Sequence, residues 1–183
     1  MEETLRPARP LTRRSWLKAC VTGLAAVSLP ALAKPQPARH LSFRHLHTGE
    51  TLSVNYFQHG RYDARALKAV NHLLRDFRTD EVFPIAPALL DQLFVVHRLI
   101  GSDAPFEIVS AYRSPATNAM LHRASSGVAS GSLHMQGKAI DIRLPDTRTR
   151  HVRDVALKLG AGGVGYYASS DFVHLDIGRV RRW

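Results

Sequence analysis

Apolar and polar positions alternate from Leu41 to Leu46, in the order Leu-Ser-Phe-Arg-His-Leu. A period of two lays one face of an extended chain on a core and the other in water, so this stretch predicts a half-buried strand. Thr51 to Phe57 is a second β-rich run, and Thr48-Gly49-Glu50 between the two reads as a turn, which together predict a hairpin. The period then changes. Leu67, Val70, Leu74 and Phe77 fall on one face of a helix over Ala64 to Phe77, with Asp63 placed to cap it. Pro87 and Gly101 bracket a second helix, Ala88 to Ile100. Phe106 to Ala111 predicts a buried strand, and Ser114-Pro115 opens a short helix through Met120 and Leu121. Residues 125–137 are rich in Ser and Gly and predict an ordered loop. Ala139 to Leu144 predicts a strand, Thr147 to Leu159 a helix, and Phe172 to Ile177 a last strand. The order β-β-α-α-β-α-β-α-β predicts an α+β fold with a small, mainly antiparallel sheet and flanking helices.

The first 33 residues follow a different pattern. Thr12-Arg13-Arg14-Ser15-Trp16-Leu17-Lys18 precedes an apolar run from Ala19 to Leu29, and Ala31-Leu32-Ala33 follows. A basic segment, a short apolar segment and an A-x-A end predict a cleavable signal peptide. The apolar run is about half the roughly 20 residues a membrane-spanning helix needs. The paired arginines resemble the twin-arginine export signal. The expectation is therefore a signal over 1–33, a Pro-containing linker over 34–39 and one domain over 40–183, with no transmembrane anchor left after cleavage.

Composition narrows the function. The 183 residues carry 45% hydrophobic side chains, enough for one real core and too many for a disordered chain. A single cysteine, Cys20, excludes an intrachain disulfide framework and a Cys-rich zinc finger. The formal net charge of +10 raises a nucleic-acid reading. The basic residues are scattered and not clustered with aromatics, so no nucleic-acid partner is expected. Loss of residues 1–33 would leave 20 basic and 13 acidic side chains, a net +7 suited to an anionic cell-wall or membrane-surface setting.

Three side chains carry candidate chemistry. Asp141 sits between Ile140 and Ile142, and His174 between Val173 and Leu175. Strand alternation turns both away from their apolar neighbours, so on adjacent strands they would meet. His134 lies just before the Asp141 strand. Two imidazoles and a carboxylate with an open fourth position make a catalytic zinc set. The run Gly160 to Gly165 contains four glycines, yet it lacks the G-x-x-x-x-G-K-[ST] pattern and follows a helix. It reads as a helix-to-strand turn and not as a phosphate loop.

The segments Ser110-Ala111-Tyr112-Arg113-Ser114-Pro115 with Asn118, Ser132-x-His134-x-x-Gly137-x-Ala139-x-Asp141, and His174-x-Asp176 resemble the zinc peptidases that share the D-Ala-D-Ala carboxypeptidase and hedgehog fold. Within that group the pattern is most similar to the YcbK-like branch of MepK-type murein endopeptidases. The resemblance runs from about His40 to Trp183. It implies a hedgehog/DD-peptidase-like fold and one Zn²⁺ per chain on His134, Asp141 and His174. It places Arg113 against the scissile carbonyl and Ser132 near the metal or substrate. Asp171 takes a position where many relatives carry a glutamate base, and here the side chain is one methylene shorter. Asp176, two residues after His174, either orients that ligand or is itself the base. Tyr112 reads as packing.

The resemblance further implies an enzyme acting on peptidoglycan peptide stems, with meso-diaminopimelate cross-links as the favoured target; the export signal makes the periplasm the expected location, and a monomer is expected. A D-Ala-D-Ala-type carboxypeptidase and a non-catalytic, zinc-containing wall-binding module are the alternatives.

Overall fold

A computed structural model of the chain describes residues 36–124 and 129–183. The expected signal over 1–33 lies outside the described residues, as do the first two residues of the expected linker and residues 125–128 of the Ser/Gly-rich loop.

The elements run β1 (Arg39–His45), β2 (Thr51–Gln58), β3 (Arg61–Tyr62), α1 (Ala64–Leu73), α2 (Pro87–Ile100), β4 (Phe106–Ser110), α3 (Pro115–Ala124), β5 (Ala139–Arg143), α4 (Thr149–Leu159), β6 (Gly163–Tyr167), β7 (Phe172–Asp176) and β8 (Arg181–Arg182). The strands form one sheet in the order β3-β2-β1-β4-β5-β7-β6-β8. Most pairs are antiparallel; β1–β4 and β6–β8 are parallel. The fold is α+β, as the hydrophobic pattern predicts. The β1–β2 hairpin forms in the expected place.

The two faces of the sheet differ in chemistry. On β5 and β7, Ile140 stands opposite Leu175 and Ile142 opposite Val173, and all four are fully buried. They join Phe43, Phe106 and Ile108 from β1 and β4, and Val152 and Ala156 from α4, in the core. Each such aliphatic side chain contributes about 1.5–3 kcal/mol by leaving water. A slip of one residue would turn this row outward and drive Asp141 and His174 into the core, so the register that builds the site is set by its greasy neighbours. α2 packs on β1 and α4, and α4 on β6 and β7, which seals this face. The opposite face of β5 and β7 pairs Asp141 with His174 and Ala139 with Asp176.

Local chemistry sets the helix ends. The Asp63 carboxylate accepts from the amides of Arg65 and Ala66 and starts α1. α1 ends at Leu73, short of the predicted Phe77. Past it, the amide of Tyr112 donates to the Leu74 carbonyl, and buried Asp76 accepts from Arg78 and from Ser114, which turns the chain off its helical path. α4 starts at Thr149, two residues later than predicted, because Leu144 and Thr147 form a β-bridge first. Gly160 ends α4 in the left-handed conformation, at φ 63°. The glycine run is thus a helix-to-strand turn, but its last three residues already belong to β6, a strand the sequence pattern does not reveal. β3 and β8 are likewise too short to leave a period.

Candidate metal centre

His134 sits on a 3₁₀ turn, Leu133–Gln136, between two short-range devices. Ser132 Oγ accepts from the His134 amide at 3.3 Å, and Gly137 closes the turn at φ 61°. A side chain at Gly137 would overlap the Pro84 carbonyl, so the turn can seat there only with glycine. The turn lies against β5, which carries Asp141, and β5 pairs with β7 so that Asp141 faces His174. His134, Asp141 and His174 are all buried.

Each imidazole has its outer nitrogen committed. His134 Nδ1 stands 2.6 Å from the Ala111 carbonyl, which can only accept, so this nitrogen carries the proton. His174 Nε2 stands 3.1 Å from Asp176 Oδ2 and is likewise the donor to a carboxylate. The inner nitrogens, His134 Nε2 and His174 Nδ1, face each other at 3.2 Å. Asp141 Oδ1 lies 2.9 Å from His174 Nδ1 and 3.3 Å from His134 Nε2. Asp141 Oδ2 is taken by Arg113 Nη2 at 2.9 Å, which leaves Oδ1 to the cluster.

Three acceptor atoms in a buried site repel unless a cation lies among them. Ligand atoms about 2.0–2.2 Å from a tetrahedral zinc stand roughly 3.3–3.6 Å apart, a little wider than the 2.9–3.3 Å seen here. The donor set therefore fits a metal ion, and the carbonyl and carboxylate behind the imidazoles select the tautomers that binding needs.

The titration of the cluster follows from burial and from these contacts. Burial would raise the Asp141 carboxyl, but His134 and His174 outweigh it and hold it well below the usual carboxylate range. Burial pushes the His134 imidazole down, toward the neutral ligand form. Burial also presses on His174, yet hydrogen bonds to Asp141 and Asp176 carry its pKa upward. For Asp176 burial is again overcome, here by His174, Arg181 and the amides of Gly178 and Gly163, so it stays ionised.

The expected site residues separate into two groups. His134, Asp141, His174, Arg113 and Ser132 line one cleft of about 410 Å³. Asp176 lies directly behind His174 with no exposed surface. Arg181 grips it with two guanidinium contacts, at 3.1 and 2.7 Å, and the amides of Gly163 and Gly178 donate to it. That is the geometry of a carboxylate that orients a ligand and not of a base open to substrate. Asp171 is elsewhere. Alternation along β7 puts Phe172, His174 and Asp176 on one face of the sheet, with Phe172 and His174 lining the cleft, while Asp171 precedes the strand at φ 51° and accepts from Thr149 Oγ1 at 2.8 Å. It lines a different cleft, beside Arg143 and Arg148. Tyr112 is packing, as expected: it stacks on Phe83 at 4.8 Å and donates to Glu81.

Sequence reasoning does not reach three parts of the site. The Ala111 carbonyl that fixes His134 is backbone and leaves no residue signature. Arg181 and Trp183 come from the segment after β7, whose return to the sheet is carried by two-residue β8. The one available signal was the glycine run: a side chain at Gly163 would overlap Asp176 and Arg181, and one at Gly165 would meet the Trp183 ring at 2.6 Å.

Comparison with known proteins agrees with this geometry. The family model described as "Peptidoglycan L,D-endopeptidase MepK" matches residues 33–183. The chain is 40% identical over 164 residues to "Peptidoglycan L,D-endopeptidase MepK" of Escherichia coli (strain K12), covering 88% of this chain and 90% of that protein. It is 38% identical over 177 residues to "Probable peptidoglycan L,D-endopeptidase MepK" of Haemophilus influenzae (strain ATCC 51907 / DSM 11121 / KW20 / Rd), covering 93% and 95%. With its sheet, its inward-facing His-Asp-His set and this match over nearly all of the described residues, the chain belongs to the peptidoglycan L,D-endopeptidase MepK family of metallopeptidases.

Proposed function

We propose that this protein is an exported zinc peptidase that hydrolyses peptide cross-links of peptidoglycan, with bonds between meso-diaminopimelate residues as its target. The observation that carries the reading is the convergence of His134 Nε2, Asp141 Oδ1 and His174 Nδ1 at the floor of an open cleft. The relatives' names supply the substrate class. The signal pattern over 1–33 supports export to the periplasm by the twin-arginine route.

Zinc held by His134, Asp141 and His174 would supply Lewis acidity, lowering the pKa of a bound water toward about 7 and polarising the scissile carbonyl. The chain's own residues hold and orient the parts. Asp176 holds the His174 proton at Nε2 and so keeps Nδ1 bare for the metal. The Ala111 carbonyl does the same for His134. Arg113 braces Asp141 through Oδ2 and is itself steadied by Ser110 Oγ at 3.1 Å. Its guanidinium lines the cleft, where it stabilises the oxyanion that develops on the substrate carbonyl. Ser132 fixes the turn that presents His134.

Digestion of purified cross-linked muropeptides by the zinc-loaded protein, followed by mass analysis, tests the reading. Conversion of diaminopimelate-linked dimers to monomers is expected. Release of terminal D-alanine alone would assign a carboxypeptidase instead, and no cleavage would leave a binding module.

A further inference from the structure

One wall of the cleft is aromatic, and the metallopeptidase chemistry just described does not use it. β8 pairs with β6 and carries the chain back to the site. The Trp183 amide donates to the Val164 carbonyl, and the Tyr166 amide to the Trp183 carbonyl. The indole then lies across Gly165, where any Cβ would stand 2.6 Å from the ring. Its Nε1–H donates to the Tyr167 hydroxyl at 2.9 Å, and the Arg181 guanidinium sits 4.8 Å from the ring centre. The ring packs against the His174 imidazole, 5.1 Å between centroids. Tyr167 and Phe172, stacked at 4.5 Å, continue the wall.

An indole pinned by this many contacts costs little further entropy on binding. Yet Trp183 stays 50% exposed, beside a metal ligand and facing the cleft. A large, rigid, half-wet aromatic surface at such a place is a contact for apolar substrate. We propose that Trp183 is a substrate-binding residue whose indole face receives the aliphatic side chain of the diamino acid next to the cleaved bond. The proposal rests on the substrate class proposed above. A methylene chain matches an indole face. Gly165 is the counterpart in the fold: its missing side chain is the space the ring occupies.

The chain's two tryptophans are Trp16 and Trp183, so a full-length Trp16→Phe protein reports Trp183 emission alone. The zinc-loaded protein is titrated with a synthetic stem peptide carrying meso-diaminopimelate, and with the same peptide carrying alanine there. A saturable emission change is expected, with the alanine peptide needing at least about tenfold more for the same change. Trp183→Ala is expected to raise KM on cross-linked muropeptides about tenfold, with kcat within roughly threefold and one zinc retained, and Trp183→Phe to fall between.

Equal responses to the two peptides, or none, from a protein that cleaves normally would overturn the proposal and leave the peptidase reading standing. So would a Trp183→Ala protein that loses its zinc on purification and regains cleavage with an unchanged KM when zinc is added back, since the ring would then serve only His174. If the wild type cleaves no muropeptide, the peptidase reading fails, and the two-peptide titration still decides the role of Trp183 by the same criterion.

Discussion

Asp176 is a fully buried carboxylate held by two backbone amides, a guanidinium and an imidazole. A charge so thoroughly held is not free to take a proton from water, and it lies where it can aim His174. Loss of such a partner behind a metal ligand typically costs about 10–100-fold in metal affinity or activity. Asp176→Asn is therefore expected to weaken zinc binding within that range. Asp171→Ala is expected to change cleavage by less than about threefold, since general-base help is worth 10²–10⁴-fold and the Asp171 carboxylate faces Thr149. Side-by-side zinc titrations and cleavage rates check both. A hundredfold loss of rate in Asp171→Ala with zinc retained would return the base to that residue. At this scale the sequence was informative where a polar residue broke an apolar run: Ile140-Asp141-Ile142 and Val173-His174-Leu175 announce side chains turned from the core. It was silent on Asp171, because no periodicity reaches the turn residue before a strand.

The elements that carry the site are held by turns with their own chemistry. The β1–β2 turn is built on buried His45, whose Nδ1 accepts from the amides of His47 and Thr48, each at 3.3 Å. Burial, aided by His47, pushes the His45 imidazole down from 6.5 to about 4. The folded chain favours the neutral ring, so its contribution is complete above the unfolded value of 6.5 and is lost as pH falls from there toward 4. His45→Asn can accept the same amides without titrating. Urea midpoints measured across this window should fall more steeply for the wild type than for the variant; parallel curves would contradict the assignment. The hairpin, α2 and the β5 and β7 strands were legible because period, proline and glycine signals agree there. β6 was not, since three of the first residues after α4 are glycines chosen for close approach to Asp176 and Trp183 and not for strand propensity. β3 and β8 are two residues each, below the length at which alternation can be read.

At the scale of the molecule, the sheet joins two jobs: one face is a helix-covered core, and the other presents a metal-binding cleft. The mainly antiparallel α+β plan could be read from element order alone. The strand order could not, because pairing of β4 with both β1 and β5 is a long-range outcome. Among the described residues no helix is long and apolar enough to cross a membrane. The proposed export route makes its own prediction. Replacing Arg13 and Arg14 by lysine should leave uncleaved protein in the cytoplasm, by fractionation and immunoblot, while the purified variant still binds zinc; unchanged delivery to the periplasm would refute a twin-arginine signal. The central claim, that His134, Asp141 and His174 hold one catalytic zinc, is tested most directly by the zinc content of purified protein. The wild type should carry one equivalent, and His134→Ala and His174→Ala should each lose it together with muropeptide cleavage. Full retention of one equivalent by either variant would contradict the ligand set.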